Sequence, residues 1–185
     1  AREGIVSPVF SSIEEYLGQD TRSYYDVLTD VGAGSWQPTR SPQPWIRYVL
    51  TAHLRQAKTV LRRTKEIETI YLELERLVAR YRLPERTLEA LFDATSGLRV
   101  RRAVYRAILE NQSDDPVSEQ TATRDLQNLT NQGLLVAHGE RRGRYYTAGP
   151  ELAAIRERVI KNRDPRDDSD PFAIQASDPA QEGLF

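Results

Sequence analysis

Between Pro44 and Pro84 the chain runs without a glycine or a proline, and no other feature constrains the fold as much. Ile46, Leu50, His53, Ala57, Val60, Thr64, Ile67, Tyr71, Leu74, Val78 and Tyr81 alternate steps of four and three residues. That spacing keeps one stripe on one side of an α-helix and marks a heptad seam. It predicts a single helix of about 36 residues, roughly 54 Å long at 1.5 Å per residue. A second set, Val49, Leu54, Leu61, Ile70 and Leu77, widens the apolar surface beyond a two-stranded seam. The helix is therefore expected to pack on more than one neighbour. A chain of 185 residues has room for two modest domains around it, neither large enough for a big buried active site.

On the amino-terminal side, IEEYL (13–17) and YYDVLTDV (24–31) have helical period and predict two short helices. GAGSWQPTRSPQP (32–44) is a loop by its glycine, proline and serine content. Tyr24, Tyr25, Trp36 and Trp45 flank the helix starts and this loop, which suits packing better than base stacking. After Pro84 the pattern shortens. PERTLEALFDATSG predicts a helix from Pro84 to just before Gly97, with proline in its first turn and glycine past its end. LRV is a candidate short strand, and RRAVYRAILENQ a helix burying Ala103, Val104, Ala107 and Ile108. SDDPV is a turn, SEQTATRDLQNLTNQG a capped helix, and LLVAHGERRGRYYT a β-hairpin. Helix, strand, helix, turn, helix and hairpin in that order make a winged helix-turn-helix. The expected fold is mainly α: a helical portion with the long helix (1–83), a winged helix-turn-helix domain (84–148), a last helix (149–163) and a tail (164–185). From Asp164 to Glu182 the tail has six acids, one arginine and three prolines, a composition that predicts disorder.

Composition excludes several kinds of chemistry. There is no cysteine, so disulfides, thiolate metal sites and a cysteine nucleophile are ruled out. The two histidines, His53 and His138, lie far apart in sequence, against a histidine-rich metal site. His53 falls on the heptad seam and is expected to be a buried, hydrogen-bonded helix residue. No apolar run approaches the length of a membrane span, and the amino terminus lacks a signal-peptide layout. A cytoplasmic setting is the expectation, with no membrane partner, metal or cofactor. The formal net charge is −1, so any case for nucleic acid must be local.

Locally, the case centres on Ser118–Leu135. Ser118 is an N-cap, Glu119 suits the positive end of the helix dipole, and Gly133 stops the helix. Ala122, Leu126 and Leu129 share the face that must pack inward. Gln120, Thr123, Arg124, Gln127 and Asn131 lie opposite, with side chains that can bond to base edges or phosphates. A solvated helix face would be polar in any case, and Glu119 and Asp125 oppose Arg124. The neighbouring elements add Arg99, Arg101, Arg102 and Arg106 before the helix and Arg141, Arg142 and Arg144 at the hairpin tip, where a winged helix holds phosphates. Trp45–Lys65 also carries six basic residues and no acid, which suits either an anionic partner or plain solvation.

SPVFSSIEEYLGQDTRSYYDVL, SWQPTRSPQPWIRYVLTAHLRQA, LEALFDATSGLRV and VSEQTATRDLQNLTNQGLL with RRGRYY, in this order, resemble the carboxy-terminal half of Fic (Fic/DOC) family proteins that carry a trailing winged helix. The resemblance spans residues 5–147 and is most specific at Tyr24–Tyr25, PWIRYVL and TATRDL. It implies a parent that transfers AMP from a nucleotide to a protein hydroxyl through a His-Pro-Phe-x-x-Gly-Asn-Gly-Arg loop. That loop is absent from this chain, as is any methionine, so the sequence reads as a non-catalytic piece downstream of the active site. Three expectations follow. The winged helix binds double-stranded DNA through Gln120, Thr123, Arg124, Gln127, Arg101, Arg102, Arg141, Arg142 and Arg144. Alternatively, it is a protein-interaction module for a protein partner or an upstream Fic domain. Finally, the apolar stripe from Ile46 to Val78 supports a homodimer.

Overall fold

The computed structural model describes residues 12–32, 34–35, 37–112 and 117–173, without the side chains of Gln112 and Arg142. Trp36 and most of the SDDPV turn lie outside these residues. The described chain falls into two compact units, one of residues up to Arg62 and from Pro165 on, the other of residues 63–164.

In the first unit, α1 (Glu14–Gln19) and α2 (Thr21–Gly32) form where IEEYL and YYDVLTDV predict them. The long helix α3 runs Gln43–Tyr81, 39 residues. It begins one residue before Pro44, because a proline in the first turn has no N–H to leave unpaired. Tyr24, Trp45, Tyr48 and Tyr16 make a chain of ring contacts with centroids 5.9–6.3 Å apart. Only Ala52 and Gln56 are buried among the described residues of this unit. The seam residues Ile46 and Leu50 are about half exposed, as is Leu61. His53 is exposed too, contrary to the expectation of burial; its Nδ1 sits 2.9 Å from the Val49 carbonyl one turn back. The helix turns its other side, with Ala52 and Gln56, inward.

The second unit holds the core. Ile70, Leu74, Leu77 and Val78 of α3 join Leu91, Val100, Tyr105, Leu109, Leu126, Leu129, Leu135, Tyr146, Leu152 and Ile155 in one cluster. At the end of α3, Arg82 takes a left-handed conformation (φ 52°), and the Leu83 N–H reaches back to the Val78 carbonyl at 2.9 Å. This 6→1 bond closes the helix and drives Leu83 into the core. Pro84 is extended, not helical; a 3₁₀ turn (Glu85–Thr87) leads into α4 (Leu88–Thr95). Next come α5 (Arg102–Gln112), α6 (Glu119–Asn131), β1 (Leu135–His138), β2 (Tyr145–Ala148) and α7 (Pro150–Lys161).

LRV contributes a single bridge and no full strand. Val100 and Tyr146 exchange both backbone hydrogen bonds, at 2.9 and 2.8 Å. β1 and β2 pair antiparallel, Leu135 opposite Ala148 and His138 opposite Tyr145. The succession α4, bridge, α5, α6, hairpin is that of a winged helix-turn-helix.

α5 departs from the expected burial. Ala103, Val104 and Ala107 are exposed and Ile108 only half-buried; Tyr105 and Leu109 face the core instead. Two apolar arcs compete on this helix. The one bearing the large tyrosine ring removes more area from water and finds a partner for its hydroxyl.

In the described part of the tail, Lys58 pairs with Asp167, and the Phe172 ring lies under the Arg47 guanidinium; the rest of the expected disordered segment, residues 174–185, lies outside the described residues.

Candidate nucleic-acid interface

α6 is fixed from both ends and from behind. The Ser118 hydroxyl accepts from the Thr121 N–H at 3.1 Å, capping the amino end. At the other end Gly133 adopts φ 72° and the Leu134 N–H returns to the Leu129 carbonyl at 3.0 Å. Ala122, Leu126 and Leu129 are fully buried.

Asp125 shares that inward face, which the sequence reading placed among the exposed charges opposing Arg124. Its carboxylate accepts two bonds from Arg86, Nε to Oδ2 at 2.7 Å and Nη2 to Oδ1 at 2.9 Å. The Tyr105 hydroxyl lies 3.2 Å from Asp125 Oδ2 and 3.3 Å from the Arg86 carbonyl oxygen. Burial, and then the adjacent carboxylate, push the Tyr105 phenol far above its ordinary range, while the bond to Asp125 raises the Arg86 guanidinium. This trio joins α6 to α5 and to the turn before α4. Asp125 stands between Ala122 and Leu129 at core spacing, but its sequence neighbours do not name the partners, Arg86 and Tyr105, that let a carboxylate turn inward.

With Asp125 turned in and neutralised, the outward face is Gln120, Arg124, Gln127, Asn128 and Asn131, all exposed. Arg124, Gln127, Asn128 and Asn131 line an open groove with Pro84 and Arg86. Asn128, missed in the sequence, belongs to this face because it follows Arg124 by one turn. Thr123 is half-buried. Its hydroxyl donates to the Glu119 carbonyl at 2.7 Å and accepts from Arg102 Nη1 at 3.4 Å. Arg102 and Arg106 both lean on Glu119, at 3.8 and 3.3 Å. Arg101 is exposed.

No family model, no curated protein and no solved structure matches this chain.

The hairpin tip turns through Gly139 (φ 68°) and a 3₁₀ turn, Arg141–Gly143, in which Arg141 itself has φ 49°. Arg141 and Arg144 are exposed; the Arg142 side chain lies outside the described residues. Next to the tip, on the last strand pair before the turn, Arg99 stacks over the Tyr145 ring with 4.8 Å to its centre, and His138 stacks on the same ring at 5.0 Å. The basic side chains thus divide. Arg86, Arg102 and Arg106 hold acidic groups of the protein, whereas Arg124, Arg141 and Arg144 extend from exposed positions.

Among the described residues no group of three or more His, Asp or Glu could hold a metal ion. Nor is any helix among them long and apolar enough to cross a membrane.

Proposed function

We propose that the winged helix binds double-stranded DNA, with α6 as recognition helix, in a cytoplasmic, non-catalytic carboxy-terminal region of a Fic-type, AMP-transferring protein. The observation that carries the reading is the outward face of α6. Gln120, Arg124 and Gln127 stand exposed on a helix that is capped, stopped and locked from behind. Arginine suits guanine, and glutamine suits adenine, in the major groove. Arg101, Arg141, Arg142 and Arg144 supply phosphate contacts, which give most of the affinity. Thr123 and Arg102 position the amino end of the helix.

The Fic assignment rests on the ordered motifs YYDVL, PWIRYVL and TATRDL. Fluorescence anisotropy with mixed-sequence duplexes at low salt tests the DNA reading. Binding is expected to weaken uniformly across sequences in the Arg141→Ala/Arg144→Ala double variant, with the salt slope falling by about two. Arg124→Ala is expected to cost about 1–3 kcal/mol and to relax sequence preference. No binding at low salt overturns the reading.

A second reading, a protein-interaction module acting on a partner or an upstream Fic domain, is favoured by one observation. Ala103, Val104 and Ala107 form an exposed apolar face on α5, with Val104 at 50% exposure. Val104→Glu that leaves DNA affinity intact but abolishes recruitment of a partner supports it. We further propose a homodimer through the exposed seam of α3, which would bring two recognition helices to paired half-sites.

A further inference from the structure

Between Trp45 and Lys65 the long helix carries Arg47, Arg55, Lys58, Arg62, Arg63 and Lys65 and no acid. At about 100° per residue, all but Arg63 fall within one arc of roughly 80°. They make a basic stripe along one side of α3.

The chain's own tail lies on this stripe, running against the helix direction. Lys58 Nζ contacts Asp167 Oδ2 at 2.5 Å, Arg55 Nη2 donates to the Asp168 carbonyl at 2.9 Å, and the Arg47 guanidinium lies 5.3 Å from the centre of the Phe172 ring. The tail bends as it crosses the stripe: it turns at Ser169 and again over 170–173, where the Ala173 N–H returns to the Asp170 carbonyl at 3.1 Å. Both partners are pre-set. The Tyr16 hydroxyl accepts from Arg55 Nη1 at 2.9 Å, aiming its other nitrogen at the tail. Asp167 Oδ1 accepts from the Ser169 N–H and hydroxyl, at 3.1 and 2.5 Å. The Lys58 ammonium, then Ser169, hold the Asp167 carboxyl well below the usual carboxylate range.

We propose that the stripe Arg47–Arg55–Lys58 is a docking surface for an acidic peptide bearing an aromatic residue, and that residues 167–172 occupy it in cis as a displaceable latch. A peptide fits better than a nucleic acid, because Arg55 reads a main-chain carbonyl and Arg47 an aromatic ring five residues beyond the first acid. The latch is weak by construction. Lys58 and Asp167 are each about half exposed, and exposed ion pairs contribute little. What keeps the tail in place is its effective concentration, on the order of millimolar for a short tether. A partner with a better acidic segment at lower concentration can replace it.

The test uses the full chain. A labelled peptide DPRDDSDPFA, copying residues 164–173, is titrated into the unaltered protein and into the Asp167→Lys/Phe172→Ala variant. The variant is expected to bind at least about tenfold more tightly, since the competing cis segment is gone. Adding Arg47→Glu and Lys58→Glu abolishes the gain, as does replacing the peptide's phenylalanine by alanine. The chain has no cysteine, so a spin label on Ala173→Cys reports the latch independently. It is expected to be immobile in the unaltered chain and mobile after Asp167→Lys or excess peptide. Equal peptide binding to both proteins, or a label mobile from the start, overturns the proposal. Single-stranded DNA binding the opened variant more tightly than the peptide would make the stripe a general anion surface and overturn the peptide assignment.

Discussion

Asp125 carries more of the architecture than its position on a polar helix suggests. Its carboxylate is 5% exposed and holds Arg86 through two charge-assisted bonds, with Tyr105 as a third neighbour. Asp125→Ala removes all of these and is expected to cost about 2 kcal/mol, read as a lower urea midpoint at unchanged slope. Tyr105→Phe keeps the ring and loses only the hydroxyl, for about 1 kcal/mol. The pH dependence has a definite sign. The folded Tyr105 phenol titrates far above its ordinary value of 10.0, so its contribution is complete below pH about 10. It is lost as pH rises from there toward the folded value, because the unfolded chain ionises first. Urea melts from pH 8 to 12 should show a steeper loss in the unaltered protein than in Tyr105→Phe. Gly149 is constrained differently. A Cβ there would collide with the carbonyl oxygens of Gly133 and Leu134, where the Gly149 N–H bonds to Leu134 O at 2.7 Å. Gly149→Ala must push backbone apart and is expected to destabilise by about 1–3 kcal/mol. Neither constraint shows in local sequence. Arg86 and Asp125 are 39 positions apart, and only the turn before α4 brings them together.

Among elements, α3 shows how one periodic pattern serves two surroundings. Toward its carboxyl end Leu74 and Val78 are buried in the core, while at its amino end Ile46 and Leu50 stay about half exposed on the same seam. Exposed apolar residues at heptad spacing favour pairing with a second helix. Multi-angle light scattering is expected to give a dimer, and Leu50→Glu/Leu61→Glu a monomer with an unchanged helical circular-dichroism spectrum, since neither side chain contributes to the core. A monomer in the unaltered chain at high concentration would remove the dimer proposal. α5 makes the converse point. Both of its apolar arcs have helical spacing, so periodicity alone does not separate Ala103, Val104, Ala107 and Ile108 from Tyr105 and Leu109. Side-chain size and a hydroxyl partner, which are properties of the surroundings, selected the latter arc.

Across the whole molecule, buried apolar side chains concentrate in the unit of residues 63–164, whereas the other unit buries Ala52 and Gln56 alone among its described residues. Local opening is cheapest where few apolar contacts must break. Hydrogen exchange should therefore divide α3 along its length, with amides near Leu74 protected close to the global limit and those near Leu50 exchanging much faster. Uniform protection from Gln43 to Tyr81 would contradict this. The long helix, its heptad seam, the cap at Ser118, the stop at Gly133 and the hairpin are local consequences of side-chain periodicity and turn chemistry, so the sequence determined them by itself. The inward turn of Asp125, the face that α5 buries, the exposure of His53 and the seating of an acidic tail on a basic stripe depend on groups tens of residues away. Those were decided only in the tertiary structure, where desolvation and charge pairing choose between faces that look alike in one dimension.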